Sequence, residues 1–250
     1  MWDSSNFIHE TAMVHPHAEL GERNYVGQYA TVGATVKMGD DNWVGPSVVL
    51  GSPSQHRAHQ DQLIDWKRDA SAPIDVVIGS RNVLREFVTV QRPTIDECTS
   101  IGNDNYFMTQ SHIPHDAVIG NHVTLANSVH IGGHTRVMSH STIGLGTVVH
   151  QRSVVGPFVM VGMGAVFKGV GYPIAMYIGN PARLLGVNRV ERFQEILPEA
   201  DFDRISSTLS EVQTEQDLWS AVRTLVVEEP ACFGSMLEEL KEFVELLKAR

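Results

Sequence analysis

The sequence predicts a mainly β protein, a parallel β-helix of hexapeptide repeats followed by a C-terminal α-helical domain. Three observations predict it. From 101 to 172 an apolar residue returns every six positions: Ile101, Phe107, Ile113, Ile119, Leu125, Ile131, Val137, Ile143, Val149, Val155, Val161 and Phe167. The fifth place of each hexad, from Ser111 through Ala117, Val123 and Val129 to Val159 and Ala165, holds only small or β-branched residues. After Asn188 the chain turns to Glu, Leu, Arg and Lys at helical spacing. A period of six fits neither the 3.6 of a helix nor the alternation of a strand. It suits a coil in which each hexad gives one short strand and one tight corner. Three hexads close a triangular turn of about eighteen residues, and turns stack at the strand spacing of about 4.8 Å. First-place residues then form an inward column. Fifth-place residues sit where two walls meet and must be small. Glycine often fills the second place, as in Gly102, Gly120, Gly132, Gly144, Gly156 and Gly162.

Taken in order, the repeat starts at Ile8 and continues through Val14, Leu20, Val26, Val32, Met38, Val44 and Leu50. It stops at Gly51. Residues 51–76 are polar and charged, with Gln55, His56, His59, Asp61, Lys67, Arg68 and Asp69, and read as a loop projecting from one corner. Long loops on a rigid scaffold often carry function. The period resumes at Ile78, Leu84 and Val90, and an excess before Ile101 predicts a second loop near 91–100, containing Pro93 and Cys98. The main run ends near Gly169–Pro173. Helices are expected near 189–197, 201–211, 215–227 and 233–249. In the last of these Leu237, Leu240, Phe243, Val244 and Leu247 form an apolar stripe. Solenoids need their ends covered, so these helices are expected to cap the open end of the coil. The division is thus 1–188 for the β-helix and 189–250 for the helical domain.

Composition narrows the function. A net charge of −10 argues against a nucleic-acid partner. The absence of a long apolar run argues against a membrane span. Met1–Phe7 lacks the basic and apolar regions of a signal peptide, and two cysteines suit a reducing compartment, so a cytoplasmic location is expected.

Twelve histidines are the unusual feature. Residues eighteen apart stack, so His112 lies under His130, His122 under His140, and Asp116 under His134 and Arg152. A polar cluster of His112, His115, Asp116 and His134 therefore gathers on one part of the prism. A carboxylate beside an imidazole orients it and stabilises its protonated form. Such a histidine is a usual general base.

The residues Ser111-His-Ile-Pro-His-Asp-Ala-Val-Ile-Gly120, Leu125-Ala-Asn127, Gly132-Gly-His134 and Val149-His-Gln151 resemble the UDP-N-acetylglucosamine O-acyltransferase family of lipid A biosynthesis. Asn82–Thr89 and Gly179–Asn188 add to the likeness. The resemblance implies a left-handed coil, a homotrimer with active sites between subunits, and transfer of a 3-hydroxyacyl chain from acyl carrier protein to a sugar hydroxyl. It implies His115 as base, Asp116 as its orienting group and the Gly133 N–H as oxyanion donor. His112, His134, His150, Gln151, Asn188 and Arg192 match substrate-binding positions. Met163 matches an acyl-length ruler and implies a medium chain. The family's Gln-Asp-Leu-Lys acceptor loop is not intact in 51–76, where Gln55 and Lys67 are loose substitutes. Its basic pair is replaced by Arg189 and Arg192 in shifted positions. The donor therefore stays open between acyl carrier protein and coenzyme A, both carrying the acyl group on phosphopantetheine. The acceptor stays open between an O-acylated UDP-amino sugar and a different nucleotide amino sugar acylated or acetylated on nitrogen. No resident cofactor or metal is expected on this reading. A zinc hydratase resembling γ-class carbonic anhydrases, with His112, His130 and His134 as ligands, is a further alternative, as is a non-catalytic trimeric scaffold.

Overall fold

The computed structural model describes residues 3–58, 75–96, 98–188, 203, 207, 214–228 and 236–248. The described residues form 26 short strands and two long helices. The strands lie in three sheets of 10, 8 and 8 members. Each strand pairs in parallel with the one a full turn later, so His112 aligns with His130 and Arg136 with Val154. This is the triangular coil expected from the hexad. Only the last pair departs from it: Ala175–Ile178 and Arg183–Val187 run antiparallel and finish one wall as a hairpin.

The hexad places have distinct structural roles. First-place residues align in register up each wall; Val44, Leu84, Phe107, Leu125, Ile143 and Val161 form one such column and are fully buried. Fifth-place residues Ser111, Ala117, Val123, Val129, Thr135 and Ser141 are also fully buried. Where they carry a hydroxyl they bond the backbone of the next turn, as Ser141 Oγ does to the Gly156 carbonyl at 2.7 Å. In earlier turns one corner uses asparagine at this place. Asn24, Asn42, Asn82 and Asn105 stack as a buried ladder, Asn82 Nδ2 donating to Asn42 Oδ1 at 3.0 Å and Asn105 Nδ2 to Asn82 Oδ1 at 2.9 Å. Fourth-place residues turn the chain at the corners with left-handed backbone: Asp116 has φ 59° and His134 φ 57°. Second-place glycines serve close approach instead. A Cβ at Gly132 would stand 2.4 Å from the Gln151 amide nitrogen one turn above.

Neither insertion breaks the stacking. Across the long one, Val36 still pairs with Val76 and Met38 with Ile78; residues 59–74, including Lys67, lie outside the described residues. Across the short one, Val83 pairs with Tyr106.

Helix α1 spans Glu215–Glu228 and α2 spans Met236–Lys248. The helices expected near 189–197 and 201–211 fall almost wholly outside the described residues. The apolar stripe of α2 is used as expected, with Leu240 and Phe243 fully buried. Leu240 joins the main core of the coil, and Phe243 packs on Met138 and Val154, beside Val170, Tyr172 and Trp219. The reason for this second seat is Val154. It points outward from a strand buried on both sides, and that apolar flank needs cover.

Candidate active site

His115 occupies the corner after the strand His112–Ile113, and Asp116 takes the left-handed position of that corner. The fold therefore fixes both backbones before any side chain is considered. His115 Nδ1 lies 2.6 Å from Asp116 Oδ2. Asp116 is 2% exposed, and its carboxylate is fully engaged. Oδ1 accepts the amides of Thr94 at 2.9 Å, Ile95 at 3.2 Å and Asp96 at 2.9 Å. Oδ2 accepts the Thr94 hydroxyl at 2.5 Å as well as His115. Burial pushes the Asp116 carboxyl up. The Thr94 hydroxyl, the His115 ring and the Thr94 and Asp96 amides outweigh it and hold the group well below the usual carboxylate range. An ionised carboxylate only accepts, so Nδ1 of His115 carries the proton and Nε2 keeps its lone pair for chemistry.

Gly133 sits directly above His115. A Cβ there would lie 2.4 Å from His115 Cε1 and 2.7 Å from Nε2, so only glycine leaves room for this ring. His134, the next residue, stands edge-on to His115 with ring centroids 5.2 Å apart. Its Nδ1 lies 3.1 Å from Asp96 Oδ2 and its Nε2 3.5 Å from Asp116 Oδ2. His56, from the start of the long loop, approaches His115 edge-on at 5.8 Å.

His112 faces a groove of about 450 Å³ on the adjoining wall, shared with Gln55, Thr89, Gln110 and His130. Its Nδ1 meets the Thr89 hydroxyl at 2.7 Å. Burial, then the neighbouring His130 and His115, pushes its pKa down to about 4, so the ring is neutral near pH 7.

The other expected residues are more scattered. His150 and Gln151 are exposed one turn above Gly133, and His150 Nδ1 is 3.0 Å from the Gln151 carbonyl oxygen. Met163 is 72% exposed and belongs to a different corner, stacked over Gly144 and Leu145 at the far edge of the wall that carries the groove. The structure does not bring Asn188 to the cluster: its amide is buried and donates to the Phe158 carbonyl at 2.9 Å, which fastens the end of the coil. Arg192 and Arg189 lie outside the described residues. The trio His112, His130 and His134 is not assembled within one chain. His112 and His130 pair at 6.3 Å, and His134 joins His115 and Asp116 instead. The ligand atoms of His115, Asp116 and His134 lie within 4.8 Å of one another, the spacing of a metal cluster. The hydrogen bonds already accepted by both Asp116 oxygens leave that carboxylate little capacity for a cation.

Sequence reasoning missed Thr94, Asp96 and Thr89, and gave His56 no role. Thr94 and Asp96 lie in the second excursion, where the period that places residues on corners is broken.

Comparison with known proteins follows the same lines. The family described as bacterial transferase hexapeptide (six repeats) matches residues 98–133. An acyl-carrier-protein–UDP-N-acetylglucosamine O-acyltransferase of Verminephrobacter eiseniae (strain EF01-2) is 40% identical over 124 residues, 49% of this chain and 47% of that one. The enzyme of the same name from Alkalilimnicola ehrlichii is 36% identical over 126 residues, 50% of this chain and 49% of that one. The chain thus spans about half the length of the curated relatives it matches. Among solved structures, a UDP-N-acetylglucosamine acyltransferase from Campylobacter jejuni superposes with a TM-score of 0.73 over 94% of this chain and 95% of that chain, at 24% identity. That likeness carries the fold. The chain is a hexapeptide-repeat β-helix protein, mainly β with a small helical C-terminal part, and a homologue over about half its length of the UDP-N-acetylglucosamine O-acyltransferases.

Proposed function

We propose that this protein is an acyltransferase that moves a 3-hydroxyacyl chain from acyl carrier protein to a hydroxyl of a UDP-amino sugar such as UDP-N-acetylglucosamine. The observation that carries the reading is the His115–Asp116 pair at 2.6 Å beneath a glycine that leaves the ring room. The names of the curated relatives supply the substrate classes.

The chemistry follows from the atoms. His115 Nε2 takes the proton of the acceptor hydroxyl as its oxygen attacks the thioester carbonyl. Asp116 holds the ring and offsets the imidazolium charge that forms. The Gly133 N–H, which has no partner among the described residues, stabilises the tetrahedral oxyanion. The carbon–sulfur bond then breaks, and the phosphopantetheine thiolate leaves with the proton from His115. His112 binds the acceptor as a neutral ring, His134, His150 and Gln151 line the approach, and Met163 limits chain length. The working assembly is a homotrimer in the cytoplasm, with the groove between subunits.

A matrix of acyl donors and nucleotide sugars assayed with purified protein tests the reading. Transfer from acyl carrier protein to UDP-N-acetylglucosamine is expected, and His115→Ala should lower turnover by at least about 10²-fold, the general-base factor. Full-rate turnover by that variant removes His115 from the mechanism. Stoichiometric zinc whose removal abolishes activity would favour the hydratase instead.

A further inference from the structure

The groups that hold the acid–base pair come from outside the repeat. Segment 92–96 follows the strand Thr89–Gln91, leaves the coil and folds over the corner at 115–116. There it presents three successive N–H groups to Asp116 Oδ1 and the Thr94 hydroxyl to Oδ2. The other end of the same excursion fixes the backbone, since the Asp116 N–H donates to Thr99 Oγ1 at 2.9 Å. Asp96 touches both halves of the site. Its amide bonds Asp116, and its carboxylate lies 3.1 Å from His134 Nδ1.

We propose that Thr94 and Asp96 are positioning residues for the acyl transfer, Thr94 holding the Asp116 carboxylate that orients the base and Asp96 holding the His134 ring that meets the acceptor. The inference rests on the acyltransferase reading. Its physical basis is that a carboxylate with two oxygens must be held by both to fix a direction. The amides anchor Oδ1. Oδ2, which carries the bond to His115, has among the described residues one further donor within 3 Å, the Thr94 hydroxyl at 2.5 Å, while His134 Nε2 stands off at 3.5 Å. Without it the carboxylate can swing about its anchored oxygen, and the His115 ring follows. A misplaced base costs rate steeply even when binding survives. Asp96 acts on a different ring, so its loss falls on acceptor binding. One short excursion therefore sets kcat through one residue and acceptor KM through another.

The test uses Thr94→Val, which keeps shape and removes the hydroxyl, Thr94→Ser, which restores it, and Asp96→Asn. Thr94→Val should lower kcat about tenfold with acceptor KM little changed, a loss of the size expected for one hydrogen bond to a charged group. Thr94→Ser should recover most of it. Asp96→Asn should act mainly on acceptor KM, raising it about fivefold, a coupling near 1 kcal/mol. A readout independent of activity is the His115 Nδ1–H resonance in ¹⁵N-histidine-labelled protein, assigned by its absence in His115→Ala. It should shift or broaden in Thr94→Val and persist in Thr94→Ser. If Thr94→Val loses the circular dichroism of the coil, Thr94→Ala is read in its place. An unchanged resonance together with unchanged kcat in the variant lacking the hydroxyl overturns the role of Thr94. A fall in kcat without a rise in KM overturns that of Asp96. If the wild type transfers no acyl group from any donor, the functional reading fails, and the resonance alone decides whether Thr94 fixes His115.

Discussion

Two neighbouring histidines show how environment assigns roles. His115 has a carboxylate on Nδ1 and an Nε2 with no hydrogen-bond partner among the described residues, the arrangement of a base. His112 has a hydroxyl on Nδ1 and a half-buried ring, and its pKa falls to about 4. That depression has a sign for stability. Between pH 6.5 and 4 the unfolded chain takes up a proton on His112 that the folded chain refuses. The unfolded state binds more protons, so stability rises with pH across this window, being fully present above 6.5 and lost toward 4. Asp116 contributes in the opposite range: its carboxyl is held below the usual value, so its stabilisation is complete above about 4 and does not confuse the measurement. His112→Gln should therefore flatten the fall in denaturation midpoint between pH 6.5 and 4; an equally steep fall in the variant disproves the assignment. Met163 gives a second prediction. Met163→Gly should move donor preference toward longer acyl chains, and an unchanged preference in competition assays excludes it as the ruler. Eighteen-residue stacking places His134 over Asp116 with His115 beside it from the count alone, and the structure brings these three side chains together, whereas Gly133 entered only through the resemblance. Thr94, Asp96 and Thr89 were not legible as partners. Two of them lie where the count is interrupted, and an excursion can fold toward any corner.

At the scale of the element, the hexad made the fold readable because each place has one physical duty. The first place fills the core, so Ile131→Ala should cost about 2–5 kcal/mol, the range for truncating a buried aliphatic, measured by chemical denaturation. A loss below about 1 kcal/mol would mean the column collapses around the gap. The fifth place was read as small or β-branched because that holds from Ser111 onward. Earlier turns replace packing by hydrogen bonds at one corner. Asn105 there also accepts the Val123 N–H at 2.7 Å, closing the ladder against an apolar residue. Asn105→Ala should strand that buried amide and cost about 1–3 kcal/mol, the penalty for an unsatisfied buried group. The helical stripe of α2 was equally legible from its spacing, but its seat was not. Period alone says that one face is buried, and the partner, the flank carrying Met138 and Val154, is known only when the coil is wound.

At the scale of the molecule, a regular prism presents outward positions to solvent unless something covers them, and the wall beside the site is polar at its groove but apolar along one edge. The outward column that passes through Thr89, His112 and His130 continues with Val148, which is 44% exposed, while Leu145 and Met163 stand exposed at its edge. An apolar edge beside a polar groove suits a surface shared with another copy, which would also enclose a groove that one chain leaves open. The proposed homotrimer gives this wall a partner. Val148 tests it with little risk to the coil, because its side chain points outward while Val149 carries the core contact. Sedimentation of the wild type should give three chains per particle. Val148→Glu should lower that number and turnover together, while circular dichroism of the coil stays the same. A wild type that sediments as a single chain with full turnover, or a Val148→Glu variant that stays trimeric and fully active, would take this wall out of the assembly.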